Sequence, residues 1–361
     1  MLLFHWLNSP EQCNKYLAMS NLQIGLAVVG GLVLAGVVAH GAWSSRRSAP
    51  RQAAPEEPRN LPPHEGIEPG LDEAAFDVAH FPVPVAEKRL VLDALIDVIA
   101  PITLDTAVYG EAALAAMPPT RRAGSKPFSI EGWNEEGNGW ETPAVGQRYG
   151  AFQAGVQLAN RTGALNEIEY SEFVMKAQAF ADAVGGTPEF PEMLDEVARA
   201  RELDQFASAH DAQLDFFVRA RQAAWSPGYV QQNAAQLGFV AGAMPGRMVL
   251  PASVPGLPPV LSLNFDTQAA LAEDPAQSAI REITLGLDVP QVDRSERAYD
   301  RMREAAQALA RAMDGVVTDS NGLPLIGETM DVFALELEGM YNTLDERELS
   351  AGSALARRLF S

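Results

Sequence analysis

The sequence predicts an α+β fold, with helices laid on one face of a sheet, behind an N-terminal transmembrane helix. Three observations predict it. Residues 283–324 read as a strand, an amphipathic helix and a short extended return, the unit of a layer in which helices cover one face of a sheet. After Arg89 the succession β-α-β-β-α occurs twice. Ahead of both copies, residues 22–43 are apolar apart from Gln23 and His40.

Taken in order, residues 1–21 form a short N-terminal segment in which 1–18 show no organised pattern and Met19 is a second candidate start. Residues 22–43 are long enough, at 1.5 Å per residue, to cover roughly 33 Å and so cross a hydrocarbon core. Only Lys15 precedes the run as a basic residue, which disfavours a cleaved signal. Arg46, Arg47 and Arg51 follow it. That excess of positive charge places the bulk of the chain on the cytoplasmic side, with the N-terminus outside. Residues 44–85 are rich in Pro, Ala, Glu and Arg, a composition that cannot bury enough apolar surface to order itself. They are expected to be an extended tether with a reach of up to about 120 Å.

The first globular half, 86–209, reads as strand 92–99, helix 104–117, strands 128–133 and 151–159, helix 167–184 ended by Gly185-Gly186, and a further helix 191–207. Gly137-Asn138-Gly139 has the chemistry of a hairpin turn. The second half, 210–326, reads as strand 214–221, helix 227–237, strands near Met248 and at 260–265, strand 283–289 and helix 295–313 ended by Gly315. That helix buries Ala298, Met302, Ala305, Ala306, Leu309, Ala310 and Met313, at steps of three and four. Glu167, Tyr170, Ala177, Gln178, Ala181 and Gly186 recur as Glu296, Tyr299, Ala306, Gln307, Ala310 and Gly315 at one constant separation. Together with the shared order of elements, this predicts a diverged tandem duplication. Residues 327–361 form a final helix with a break near Ser350-Ala351-Gly352.

Composition narrows the function. A formal net charge of −20 argues against nucleic acid, whose phosphates are bound by clustered Lys and Arg. The single cysteine, Cys13, leaves no intrachain disulfide. The five histidines stand outside the two halves or at their border without metal-ligand spacing. No serine occupies a G-x-S-x-G elbow, and the carboxylates are scattered along helix faces. No enzyme, no metal and no cofactor is expected.

Strand alternation assigns the faces. Leu261, Leu263, Phe265, Ile283, Leu285, Leu287 and Val289 belong to the helix-covered side, and Ser262, Asn264, Thr284, Gly286 and Asp288 point outward. In the strand at 214–221, Leu214, Phe216 and Val218 face the core, because the opposite choice would bury Asp215 and Arg219. Phe217 is then outward, as is Trp133 in the first half.

The stretches LDFFVRA, AAQLGFVAGAM, PPVLSLNF, ITLGLDVP and above all AAQALARAMDGVVTD, in this order over residues 211–330, resemble the C-terminal FtsZ-binding domain of the ZipA family of bacterial cell-division proteins. The anchor followed by a Pro-rich tether also resembles that family's architecture, whereas 89–210 is extra to it. The resemblance implies an antiparallel, split β-α-β sheet whose open face is a shallow trough for the C-terminal tail of FtsZ. It implies a single-pass protein of the bacterial inner membrane that holds FtsZ polymers to the bilayer for septum assembly. The residues matching the trough are Phe217, Ser262, Asn264, Thr284 and Gly286, with Met244 retained from the family's Gly-acidic-Met segment. At Gly286 the family carries an aromatic residue that this chain lacks. A second reading is a membrane-tethered scaffold that self-associates or binds another envelope protein and no longer holds FtsZ.

Overall fold

Alternating apolar strands and two long amphipathic helices arrange the chain as two antiparallel sheets, each covered on one face, in a computed structural model that describes residues 50–53, 92–274 and 278–361. The first half comprises β1 (Asp97–Tyr109), α1 (Gly110–Ala116), β2 (Arg122–Ala123), β3 (Lys126–Asn134), β4 (Gly139–Glu141), β5 (Arg148–Gln157), a small ribbon of β6 (Ala159–Asn160) and β7 (Gly163–Ala164), α2 (Glu167–Val184), β8 (Gly186–Pro188) and α3 (Met193–His210). The second comprises β9 (Gln213–Ala220), α4 (Pro227–Ala235), β10 (Val240–Ala241), β11 (Arg247–Leu250), β12 (Leu261–Asn264), α5 (Thr267–Leu271), β13 (Glu282–Asp288), α6 (Ala298–Met313) and β14 (Gly315–Thr318). Two helices follow, α7 (Gly327–Glu346) and α8 (Ala354–Leu359), with the expected break between them.

The strand orders are β2-β3-β5-β1-β8 and β10-β11-β12-β13-β9-β14. Matching β3, β5, β1 and β8 with β12, β13, β9 and β14 gives one order in both sheets, with α2 and α6 in the same place. Register extends the match to single residues. Gly186 pairs with Leu104 as Gly315 pairs with Ala220. Ile102 faces Phe152 as Val218 faces Ile283. Counting along the strands then sets Gly155 with Gly286, and their cross-strand partners Ser129 and Ser262 correspond. Likewise Glu131 corresponds to Asn264, Gln153 to Thr284 and Ile99 to Asp215. The two halves thus share one order of strands and one register.

Helix α2 shows why that reading was possible. Asn166 accepts from the Ile168 and Glu169 amides while the Glu169 side chain accepts from the Asn166 amide, a complete capping box, and Gly185 closes the helix at φ 69°. Its Tyr170, Phe173, Ala177, Phe180 and Ala181 are buried on the sheet, as Tyr299, Met302, Ala306 and Leu309 of α6 are on theirs.

Three expectations are corrected. The helix expected at 104–117 shrinks to α1, because Thr103, Thr106 and Val108 continue β1 to Tyr109 across a register shift opposite β5. Cross-strand pairing of β-branched residues outweighs a helical spacing. The strand expected from Leu92 starts at Asp97, since the Asp93 side chain accepts from the Leu95 amide and the Asp97 side chain from the Asp93 amide, making a turn. Helix α6 ends on Asp314, at φ 56°, rather than on Gly315, which opens β14 where a side chain would run into Val218.

The tether also departs from expectation. Arg51 forms a parallel bridge with Trp225: its amide donates to Ala224 O at 2.7 Å and its carbonyl accepts from the Ser226 amide at 2.8 Å. Its guanidinium reaches Met313 O and Asp314, at 3.2 and 3.0 Å, where the C-terminal end of α6 favours a cation. Residues 50–53 are therefore docked on the second half. The segment 1–49, with the expected span at 22–43, and residues 54–91 lie outside the described residues. Among the described residues no helix is long and apolar enough to cross a membrane.

One apolar core runs through both halves, and the C-terminal segment joins them. Leu359 and Phe360 are fully buried. Gln157 of β5 donates to Arg358 O and Gln291 donates to Phe360 O. Arg358 makes two hydrogen bonds to Asp97, at 2.6 and 3.0 Å.

Candidate peptide-binding face

Pleating places odd and even residues of each strand on opposite sides. The core side of the second sheet is formed by Phe216 and Val218, Leu261 and Leu263, and Ile283, Leu285 and Leu287, all buried. The outward side is ordered by the pairing: Asn264, Thr284, Phe217 and Thr318 form one cross-strand row, and Ser262, Gly286 and Asp215 the next. Five of the six residues singled out from sequence thus stand together on one half-exposed face.

Phe217 is the aromatic body of this face. The Arg219 guanidinium lies 5.6 Å from its ring centroid, and Thr318 beside it is buried beneath the turn from Asp319 to Pro324. Gly286 makes a notch. A Cβ at this position would stand 2.8 Å from Ser262 Oγ and 3.1 Å from Asp215 Oδ1, so the glycine keeps bare backbone between two polar walls. The Asp215 carboxylate makes no hydrogen bond or ion pair among the described residues, and desolvation by burial pushes it above the usual carboxylate range. At the end of the strand Asp288 is paired instead, sharing Arg161 with Asp211 at 2.7 and 2.6 Å.

Met244 stands apart. It lies in the turn between β10 and β11, 57% exposed. There it lines an open pocket of about 490 Å³ with Gln231 and Ala235 of α4 and Phe239. That pocket lies toward the helix-covered side, so Met244 does not join the rows carrying Phe217 and Gly286. In the first half Trp133 is outward and packs edge-on against Trp140 of β4, with centroids 5.5 Å apart.

Sequence reasoning missed Asp215 as part of the site. It was recognised as outward but not as the third member of the Ser262-Gly286 row, because register cannot be read from one strand. No group of three or more His, Cys, Asp or Glu side chains among the described residues is arranged to hold a metal ion.

Residues 265–334 match the family model of ZipA, C-terminal FtsZ-binding domain. The ZipA match takes in β13, α6 and β14, the unit that presents Thr284 and Gly286 and covers their strand from behind. The first half and all of β9 to β12, with Asp215, Phe217, Ser262 and Asn264, lie outside it. No curated protein matches the chain.

Proposed function

We propose that this protein is a non-enzymatic anchor of the bacterial division ring, capturing the C-terminal tail of FtsZ on the outward face of the second sheet. The observation that carries this reading is the match of 265–334 to an FtsZ-binding domain, on the strand whose outward residues adjoin Phe217. The preformed sheet face suits capture of an extended segment with little reorganisation. Many anchors engaging one polymer would raise a weak single-site affinity through effective concentration.

In the same proposal residues 22–43 cross the inner membrane and the two halves lie in the cytoplasm. Docking of Arg51 shortens the tether. From Trp43 to Arg51 the chain reaches at most roughly 29 Å, so the end of α6 is held near the bilayer rather than at the far end of a long linker. Substituting Arg51→Glu should release this hold, visible as faster amide exchange at Ser226 and a longer bilayer-to-domain distance by energy transfer. Asp314→Arg in the same chain should restore both. Each partner is over a third exposed, so the change in global stability should stay below about 1 kcal/mol.

The direct test is titration of the full chain, in lipid nanodiscs, with a synthetic FtsZ C-terminal tail peptide. Saturable binding that weakens with salt is expected, since the chain carries a net charge of −20 and such complementarity is screened. Phe217→Asp should lower affinity by roughly 30-fold or more, the loss of about 2 kcal/mol typical of a central anchor. Met244→Asp should leave it unchanged. No binding at about 500 µM would reject tail capture, leaving the scaffold reading, in which the chain self-associates or holds another envelope protein.

A further inference from the structure

The first half contains a worked example of how its kind of face is filled. Gly155 corresponds in register to Gly286, and Ser129 to Ser262. Gly155 is fully covered where Gly286 is half-exposed. The cover is the chain's own Leu92: a Cβ on Gly155 would run into Leu92 Cδ2 and come within 2.9 Å of Cδ1. Leu92 is 6% exposed there. Its amide donates to Oε1 of Glu131 at 3.3 Å, and Glu131 corresponds to Asn264. A residue from outside the sheet thus rests an aliphatic side chain on bare glycine backbone while its N–H reaches an acceptor on the adjacent strand.

The second half has the same glycine, the same serine and an acceptor in Asn264, but the segment ahead of its first strand is the helix α3, which supplies no such residue. One wall has also changed. Ile99 beside Gly155 is replaced by Asp215 beside Gly286. Its carboxylate is exposed and makes no hydrogen bond or ion pair among the described residues. An unpaired carboxylate beside the notch can form a charge-assisted hydrogen bond with a cationic neighbour.

We propose that Gly286 is a seat for one aliphatic side chain of an extended peptide, whose N–H bonds Asn264 and whose neighbouring Lys or Arg pairs with Asp215. This rests on the outward face being the peptide site, and it specifies the ligand: an aliphatic residue set beside a basic one. It also changes the meaning of the glycine. This chain leaves a socket and requires the partner to bring the apolar group. The first half's socket is already taken by Leu92, so the two copies are not interchangeable.

The test uses the full chain and the FtsZ tail peptide. Gly286→Val should lower affinity by about tenfold or more, by filling the socket. Because Val could disturb Ser262, each aliphatic residue of the peptide is also replaced in turn by alanine against the unaltered protein. One replacement should lose about tenfold, and that same peptide should lose nothing further against Gly286→Val. Asp215→Asn should flatten the salt dependence. If the unaltered protein fails to bind, tail capture itself is wrong. If it binds, but no aliphatic replacement matters or the losses with Gly286→Val simply add, the socket is overturned. An unchanged salt dependence in Asp215→Asn overturns the basic neighbour.

Discussion

Arg358→Met will cost about 3 kcal/mol of unfolding free energy, measured by chemical denaturation at neutral pH. Asp97 is fully buried at the start of β1, and Arg358 holds both its carboxylate oxygens from the C-terminal helix α8. Removing one partner of a buried pair leaves a charge that neither water nor protein neutralises, which costs about 3–5 kcal/mol. The lower end applies because the Asp93 amide still donates to Asp97 Oδ2 at 2.8 Å. Desolvation already raises the Asp97 carboxyl above its ordinary 3.8, against the opposing pull of Arg358. With a folded pKa above the unfolded one, the folded state binds more protons between the two. Stability is then fully present below 3.8 and lost as pH rises through the folded value. Without Arg358 the pKa rises further, so the variant should regain stability on acidification more steeply than the unaltered protein. Asp97→Asn combined with Arg358→Met should recover much of the loss, since no unpaired charge remains.

What was legible in the sequence follows from which interactions are local. The bounds of α2 could be read directly because the capping box at Asn166 and Glu169 and the left-handed Gly185 are local chemistry. The faces of β9, β12 and β13 were readable from alternation, since burial of one side fixes the parity of each strand. Strand order and cross-strand register are not local. Hence the Ser262-Gly286-Asp215 row, and with it the role of Asp215, appeared only once the strands were paired. The same reason separates Met244 from the two rows: family likeness grouped it with the trough residues, whereas it lies on the turn between β10 and β11. Arg51 was misread for a related cause. It lies in a proline-rich, polar segment whose composition argues against order, and it is held by contacts with residues far along the chain.

Phe360→Ala should uncouple the two halves as well as destabilise them. Phe360 is 1% exposed, and with the neighbouring Leu359 it closes the core where β5, the segment after β13 and α8 meet. Truncating a buried phenylalanine costs about 3–5 kcal/mol, combining lost burial with the cavity left behind. The Gln291 bond to Phe360 O involves the backbone and survives the change, so the loss measures packing alone. Each half keeps its own sheet and covering helix, whereas the shared part of the core runs through this segment. In the unaltered protein, denaturation followed at Trp133 and Trp140 should coincide with that followed at Trp225, as a single cooperative unit requires. With single-tryptophan versions of Phe360→Ala, the first-half and second-half transitions should separate, the half holding less apolar surface melting first. Coincident transitions at a lowered midpoint would mean that the remaining contacts, among them the Asp97–Arg358 and Arg161–Asp288 pairs and the Gln157 and Gln291 hydrogen bonds, suffice to keep the halves cooperative.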